Sequence, residues 1–102
     1  MIKLLLTLIF LLSTSVASAK DLIIVGATWC PACVKLKNFT DNNKSKIKFN
    51  IENIDIDKDK ETANILKVTK IPTSFIFDDD GKLLSKKIGY DSSYYQWLRN
   101  NE

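Results

Sequence analysis

The sequence contains no histidine, and cysteine and methionine are almost as scarce, with two cysteines and one methionine, the initiator. Without an imidazole group, acid–base catalysis by histidine and metal binding through histidine are both excluded. A zinc site usually needs four nitrogen or sulfur ligands, which two cysteines cannot supply. A methionine-rich copper pocket is excluded because the initiator is the only methionine. We therefore expect neither a metal nor another cofactor.

A strong excess of charge of one sign is also missing. Lysine and arginine number 15 against 12 acidic residues, which gives a net charge of +3, and the lysines are scattered along the chain. Nucleic-acid binding normally needs a clustered basic surface, so we expect no nucleic-acid partner. No segment suggests dimerisation, and a monomer is the default expectation.

The first nineteen residues contain an apolar run that is too short for a membrane-spanning helix, which needs about 20 residues. Lys3 precedes this run, which extends from Leu4 to Leu12, and the small residues Ala17-Ser18-Ala19 follow it. A short positive region, an apolar core and an A-x-A site are typical of a secretory signal. We predict a signal peptide over 1–19 and a mature domain over 20–102, periplasmic or secreted. An uncleaved N-terminal anchor remains the alternative.

The pattern of the remaining chain predicts the order β-α-β-α-β-β-α. The unbroken aliphatic run from Leu22 to Val25 is typical of a strand that is covered on both faces. Early alternation of strand and helix indicates a parallel crossover, and an Asp-Gly turn indicates an antiparallel hairpin. The expected fold is α/β, with a four-stranded mixed sheet and about three helices. The predicted elements are strands at 22–25, 48–57 with a bulge or an irregular start, 73–77 and 82–88, and helices at 30–42, 59–67 and from Asp91 or Ser92 to Arg99.

The two cysteines stand three apart, in Cys30-Pro31-Ala32-Cys33, where a strand gives way to a helix. A disulfide across two residues closes almost no loop, so it would stabilise the fold little. The unpaired N–H groups at a helix start favour an anion, and the thiolate is the reactive form of cysteine. This context predicts redox chemistry. We expect Cys30 to be the exposed nucleophile and Cys33 the shielded resolving thiol.

The sequence from Trp29 to Cys33, followed some forty residues later by Ile71-Pro72-Thr73, resembles the thioredoxin-like family of thiol–disulfide oxidoreductases. The resemblance implies that the Ile71–Pro72 bond is cis and faces the dithiol, and that the backbone of Ile71 binds substrate. The substrate-binding residues it implies are Trp29, Pro31, Ala32, Ile71, Pro72 and Gly89.

Three departures from the family pattern stand out. The chain has no room for the strand and helix that lead a full thioredoxin. The family's buried acid falls at Ile24 and its lysine partner near Asn53, so that water or another group, for which Glu52 is a candidate, must exchange the Cys33 proton. Finally, Pro31-Ala32 replaces the usual Gly-Pro, which puts the redox potential in doubt.

These observations predict an exported oxidoreductase that exchanges the Cys30–Cys33 dithiol or disulfide with protein substrates. By resemblance, Ile71 before the proline favours a reductase or electron relay, which would need a membrane or periplasmic electron donor. A disulfide-forming oxidase is the enzymatic alternative. A redox-inactive binding or assembly module is a third, against which the intact pair of cysteines counts.

Overall fold

A computed structural model describes residues 20–102; the predicted signal peptide at 1–19 lies outside the described residues. Within this part of the chain, none of the helices has the length and apolar character needed to cross a membrane. The elements follow the predicted order. They are β1 (Asp21–Gly26), α1 (Pro31–Asn42), β2 (Asn50–Asp55), α2 (Lys60–Ile65), β3 (Thr73–Phe77), β4 (Leu83–Ile88) and α3 (Tyr94–Asn100).

The four strands form one mixed sheet in the order β2-β1-β3-β4. β1 pairs in parallel with β2 and antiparallel with β3, while β3 and β4 form the antiparallel hairpin. The central place of β1 explains its unbroken apolar sequence, because a central strand with helices on both faces has no solvent side. The predicted four-stranded mixed sheet with three helices is confirmed, and no strand precedes β1 among residues 20–102.

Helices cover both faces of the sheet. On one face, Leu22 and Ile24 belong to the same buried cluster as Leu36 of α1 and Tyr94 and Leu98 of α3. On the other, Val25 and Phe75 pack in a second cluster with α2. Alternate residues of β1 therefore point to different cores, as the period of a strand requires. Packing on both faces holds β1 in place, and with it the carboxyl end of the strand, which lies next to the dithiol.

Of the two irregularities predicted for β2, the bulge is absent, and the strand begins at Asn50 rather than at Lys48. β2 pairs with β1 in unbroken register from Asn50 to Asp55. The apparent slip in its apolar pattern arises because the strand buries residues on both faces: Ile51 packs on the cluster under α1 and α3, whereas Ile54 and Ile56 pack on the cluster with α2. The irregularity of the sheet lies instead between β3 and β4, at Ile76 and Phe77.

Side-chain oxygens organise the turns and helix starts. The Asp78 carboxylate accepts hydrogen bonds from the backbone N–H groups of Asp80 and Lys82, and Gly81 has the positive φ of 83° that the hairpin turn requires. At α2, the Asp59 carboxylate accepts hydrogen bonds from the Thr62 hydroxyl and from the Thr62 N–H, and these two bonds lower the pKa of Asp59. The predicted cap of α3 at Asp91 or Ser92 is wrong, because Ser93 occupies that position.

A buried hydrogen bond joins α3 to the sheet. The Ser74 and Tyr94 hydroxyl oxygens are 2.7 Å apart, and both residues are fully buried. Burial raises the pKa of Tyr94 to about 12. An unfolded chain loses this proton at about pH 10. The folded protein therefore favours the neutral form of the Tyr94 hydroxyl.

We predict that the extra stability from neutral Tyr94 is complete below pH 10 and is lost as the pH rises towards 12. Over that range the unfolded chain ionises at this residue before the folded protein does. Tyr94→Phe should flatten this part of the curve and cost about 1–3 kcal/mol at neutral pH, since Ser74 loses its partner. Urea unfolding from pH 7 to 11.5 measures both effects. The double variant Ser74→Ala/Tyr94→Phe should recover part of the loss, whereas an unchanged slope in Tyr94→Phe would contradict the assignment.

Candidate active site

The dithiol lies where the central strand meets the first helix. β1 ends at Gly26, and the turn that follows is closed by a hydrogen bond from the Cys30 N–H to the Ala27 carbonyl, 3.3 Å. Cys30 is the N-cap of α1, and Pro31 occupies the first turn, where its missing N–H removes no helical bond. The sequence from Cys30 to Cys33 therefore folds as a helix start, as predicted.

Both thiols are free, and both are buried, with 6% of Cys30 and 9% of Cys33 exposed. The expected contrast between an exposed Cys30 and a shielded Cys33 is thus wrong as regards exposure. Cys30 is covered because the two cysteines form a small cluster with Ala27, against which Ala32, Ile56 and Ile71 pack. Residues distant in sequence supply much of this cover.

The two sulfurs differ in their electrostatic surroundings. The Cys30 Sγ accepts a hydrogen bond from the Cys33 backbone N–H, 3.3 Å, so this sulfur serves as the cap of α1. An N–H donor directed at sulfur stabilises negative charge there. Burial, and next the hydrogen bond with the Cys30 side chain, raise the pKa of Cys33 to about 11. Cys33 therefore keeps its proton at neutral pH.

Ile71 and Pro72 lie close to the dithiol, directly before the start of β3. Thr73 is paired with Val25, so the two residues that precede β3 lie beside the carboxyl end of β1. The Ile71–Pro72 peptide bond is cis, and Ile71 packs on the cluster that contains both cysteines. Gly89 joins this group, since its N–H donates to the Pro72 carbonyl at 2.7 Å and its φ is +86°.

Trp29 projects into solvent beside the dithiol, with 64% of the residue exposed. Its indole N–H donates to the Asp57 carboxylate at 2.8 Å, a partner that sequence reasoning did not assign. Trp29 and Asp57 line a groove of about 450 Å³ with Ile56 and Ile71. Of the remaining residues implied for substrate binding, Pro31 is exposed and Ala32 half-buried on the dithiol turn.

A role for Gly26 was not predicted from the sequence, although a glycine in a strand can indicate that the backbone passes close to another group. A Cβ at this position would lie 3.0 Å from the Cys33 Sγ and 3.2 Å from its Cβ. The backbone of β1 therefore passes directly against the resolving thiol. A side chain at this position would force the cysteine to move.

No ionisable side chain takes the place of the family's buried acid at position 24. Ile24 is 5% exposed and belongs to the apolar cluster under α1 and α3. Asn53 and Glu52 are both exposed on β2. The departure seen in the sequence is therefore a real difference in the chemistry beside Cys33.

The family model for thioredoxin matches residues 12–97. The chain belongs to the thioredoxin family. The match begins inside the segment predicted as a signal peptide. A comparison with curated proteins gave no match.

Solved thioredoxins have the same fold. Mitochondrial thioredoxin 3 from Saccharomyces cerevisiae, in its oxidised form, is 25% identical, with 93% of this chain and 89% of that chain covered and a TM-score of 0.70. Thioredoxin from Trichomonas vaginalis is 23% identical, over 91% and 88%, with a TM-score of 0.73. Thioredoxin from Fasciola hepatica is 19% identical, over 92% and 91%, with a TM-score of 0.75.

In this member of the thioredoxin family, we predict that Gly26→Ala destabilises the reduced protein by about 1–3 kcal/mol, the usual cost of overpacking. Gly26 does not have a positive φ, so the added methyl group strains the contact with Cys33 rather than the backbone. Urea unfolding under reducing conditions measures the cost.

The same substitution in a Cys33→Ala background is the matched control. Removing the sulfur should relieve the contact, so that Gly26→Ala costs clearly less there. An equal cost in both backgrounds would show that the loss arises elsewhere.

Proposed function

We propose that this protein is a thiol–disulfide oxidoreductase that exchanges the Cys30–Cys33 pair with protein thiols and disulfides. Membership of the thioredoxin family supports this class of chemistry. The observation that carries the proposal is the pairing at the start of α1, where the Cys33 N–H donates to the Cys30 sulfur. One sulfur is thus stabilised as an anion, and a second thiol lies one helical turn away to complete the exchange.

In the reducing direction, the Cys30 thiolate attacks a substrate disulfide and forms a mixed disulfide, and the first substrate sulfur leaves as a thiolate. Cys33 then attacks the Cys30 sulfur and releases the second substrate sulfur. The two cysteines are oxidised to a disulfide while the substrate disulfide gains two electrons and, after protonation, becomes two thiols. The groove lined by Trp29 and Ile71 is the surface on which substrate would lie.

The direction that we propose is reduction or electron relay. It is supported by Ile71 before the proline, which resembles the reducing members of the family. A reductase outside the cytoplasm must itself be re-reduced, so a membrane or periplasmic electron donor is part of the proposal. Export is supported by Lys3, the short apolar run and the Ala17-Ser18-Ala19 site. Mass spectrometry of exported protein should find Lys20 as its first residue.

Cysteine substitutions test the proposed chemistry. We predict that Cys33→Ser accumulates mixed disulfides with protein substrates, because Cys30 can attack but nothing resolves the product. Cys30→Ser, the matched control, should accumulate few. Non-reducing electrophoresis of proteins captured by each variant makes the comparison. Capture mainly by Cys30→Ser would reverse the roles, and capture by neither would favour the redox-inactive binding module.

The reduction potential separates the reductase from the oxidase. We expect a value between about −270 mV, typical of thioredoxin, and about −120 mV, typical of the strongest disulfide-forming oxidants. The helix start stabilises the Cys30 thiolate, but no histidine reinforces it, and Pro31 replaces the family's glycine. Equilibration with glutathione buffers measures the potential. A value near the upper limit would favour the oxidase and contradict the proposed direction.

A further inference from the structure

A cavity of about 270 Å³, separate from the groove that contains Trp29, is lined in part by Cys33. Its walls include Gly26 and Ile54 from the sheet and Val34 from α1. Among residues 20–102, none of those lining this cavity also lines the groove that contains Trp29. Cys33 borders this cavity, whereas Cys30 is not among its lining residues.

The absence of a side chain at Gly26 leaves this approach to the sulfur open, since a Cβ there would lie 3.0 Å from the Cys33 Sγ. The volume is large enough for several water molecules, each of which occupies about 30 Å³ in the liquid. Polar side chains also line the cavity, among them Asn53 and Asp55. Water in such a space has partners for its hydrogen bonds.

Resolution of a mixed disulfide requires that Cys33 lose its proton. Burial raises the pKa of Cys33 to about 11, so the thiol holds its proton at neutral pH. The family's acid is replaced by Ile24, which is buried in an apolar cluster. A proton acceptor must therefore be sought among the other groups that border Cys33.

The ionisable groups that line the cavity, within the described part of the chain, are Cys33 itself, Lys37 and Asp55. Lys37 is an unsuitable acceptor because it is cationic, and its ammonium group pairs with Asp41 at 3.0 Å. Glu52, the candidate from the sequence, is exposed and does not line the cavity. Asp55 is the carboxylate that remains.

Asp55 is held firmly at the end of β2. One carboxylate oxygen, Oδ1, accepts a hydrogen bond from the Asp57 N–H at 2.9 Å, and the Asp55 carbonyl accepts from the N–H groups of Lys58 and Asp59. A carboxylate has about four acceptor sites, so this hydrogen bond leaves Asp55 capacity to accept from water as well. Asp57 in turn accepts from Trp29, so the segment that follows β2 is anchored to the dithiol turn.

We propose that the cavity admits water to Cys33 and that Asp55 accepts the Cys33 proton through this water when the mixed disulfide is resolved. The inference rests on the proposed function and deepens it. The proton passes from the Cys33 sulfur to water and from water to the Asp55 carboxylate. The thiolate then forms the bond to the Cys30 sulfur, and the bond from Cys30 to the substrate sulfur breaks. The substrate leaves as a thiolate, which takes a proton from solvent.

Reaction of the reduced protein with dithiobis-nitrobenzoate follows the two steps separately. Attack by Cys30 releases one coloured thiolate in a phase that depends on reagent concentration. Attack by Cys33 releases the second in a phase that does not. We expect Asp55→Asn to slow the second phase by roughly 100-fold at pH 7, the lower end of the 10²–10⁴-fold that general bases contribute, and to leave the first phase unchanged.

The pH profile distinguishes proton transfer from a structural role. Asparagine keeps the oxygen that accepts from the Asp57 N–H, so the turn should persist. The deficit in the second phase should shrink as the pH rises towards 11, because hydroxide then removes the Cys33 proton directly. Asp55→Glu should restore part of the rate. Glu52→Gln, on the same strand but outside the cavity, is the matched control and should behave as the unaltered protein does.

Three results would overturn the role of Asp55: an unchanged second phase in Asp55→Asn, a deficit of equal size at every pH, or an equal deficit in Glu52→Gln. Failure of the proposed function would look different. In that case the Cys33→Ser protein would trap no protein substrate, whatever residue stands at position 55.

Discussion

The backbone of Gly26 runs close to Cys33, so that a Cβ at position 26 would lie only 3.0 Å from the sulfur, and the geometry of the site depends on this close approach. β1 cannot shift to relieve it, because β1 is paired on both edges and packed on both faces. The Gly26 carbonyl also accepts a hydrogen bond from the Ile56 N–H at 3.0 Å. The first turn of α1 is therefore fixed against the most constrained strand of the protein.

This placement makes two neighbouring cysteines chemically different. Cys30 caps the helix and receives an N–H at its sulfur, whereas Cys33 is one turn inside, where burial keeps its proton in place. The two residues have almost the same exposed fraction. The difference comes from the desolvation of the Cys33 sulfur together with the N–H donor that the helix start directs at Cys30.

The apolar side chain of Ile24 creates the chemical need that Asp55 is proposed to meet. An apolar residue at position 24 strengthens the core under α1 and α3, but it removes the ionisable group that the family places beneath the dithiol. A glycine at position 26 leaves space beside the sulfur, and the end of β2 brings a carboxylate to that space. The acceptor of the Cys33 proton would then lie at the end of β2 instead of in the core, while the fold stays the same.

The sequence by itself determined the order of elements, the double-sided burial of β1 and the position of the dithiol at a helix start. These are local features, set by apolar periodicity, by Pro31 at the first helical turn and by the spacing of Cys30 and Cys33. The sequence misjudged β2, since an edge strand that buries residues on both faces reads as a slipped alternation. It also misjudged the exposure of Cys30.

Only the tertiary structure decided the cover over Cys30, the bond from Trp29 to Asp57 and the cavity that joins Cys33 to Asp55. These contacts join residues more than twenty positions apart, as between Cys30 and Ile71. The local sequence pattern around one residue does not predict which distant residue it contacts. The sequence placed the thiols on the chain. The pairing of β1 with β2 and β3 determines which groups surround the thiols, because it brings the ends of these three strands to one edge of the sheet.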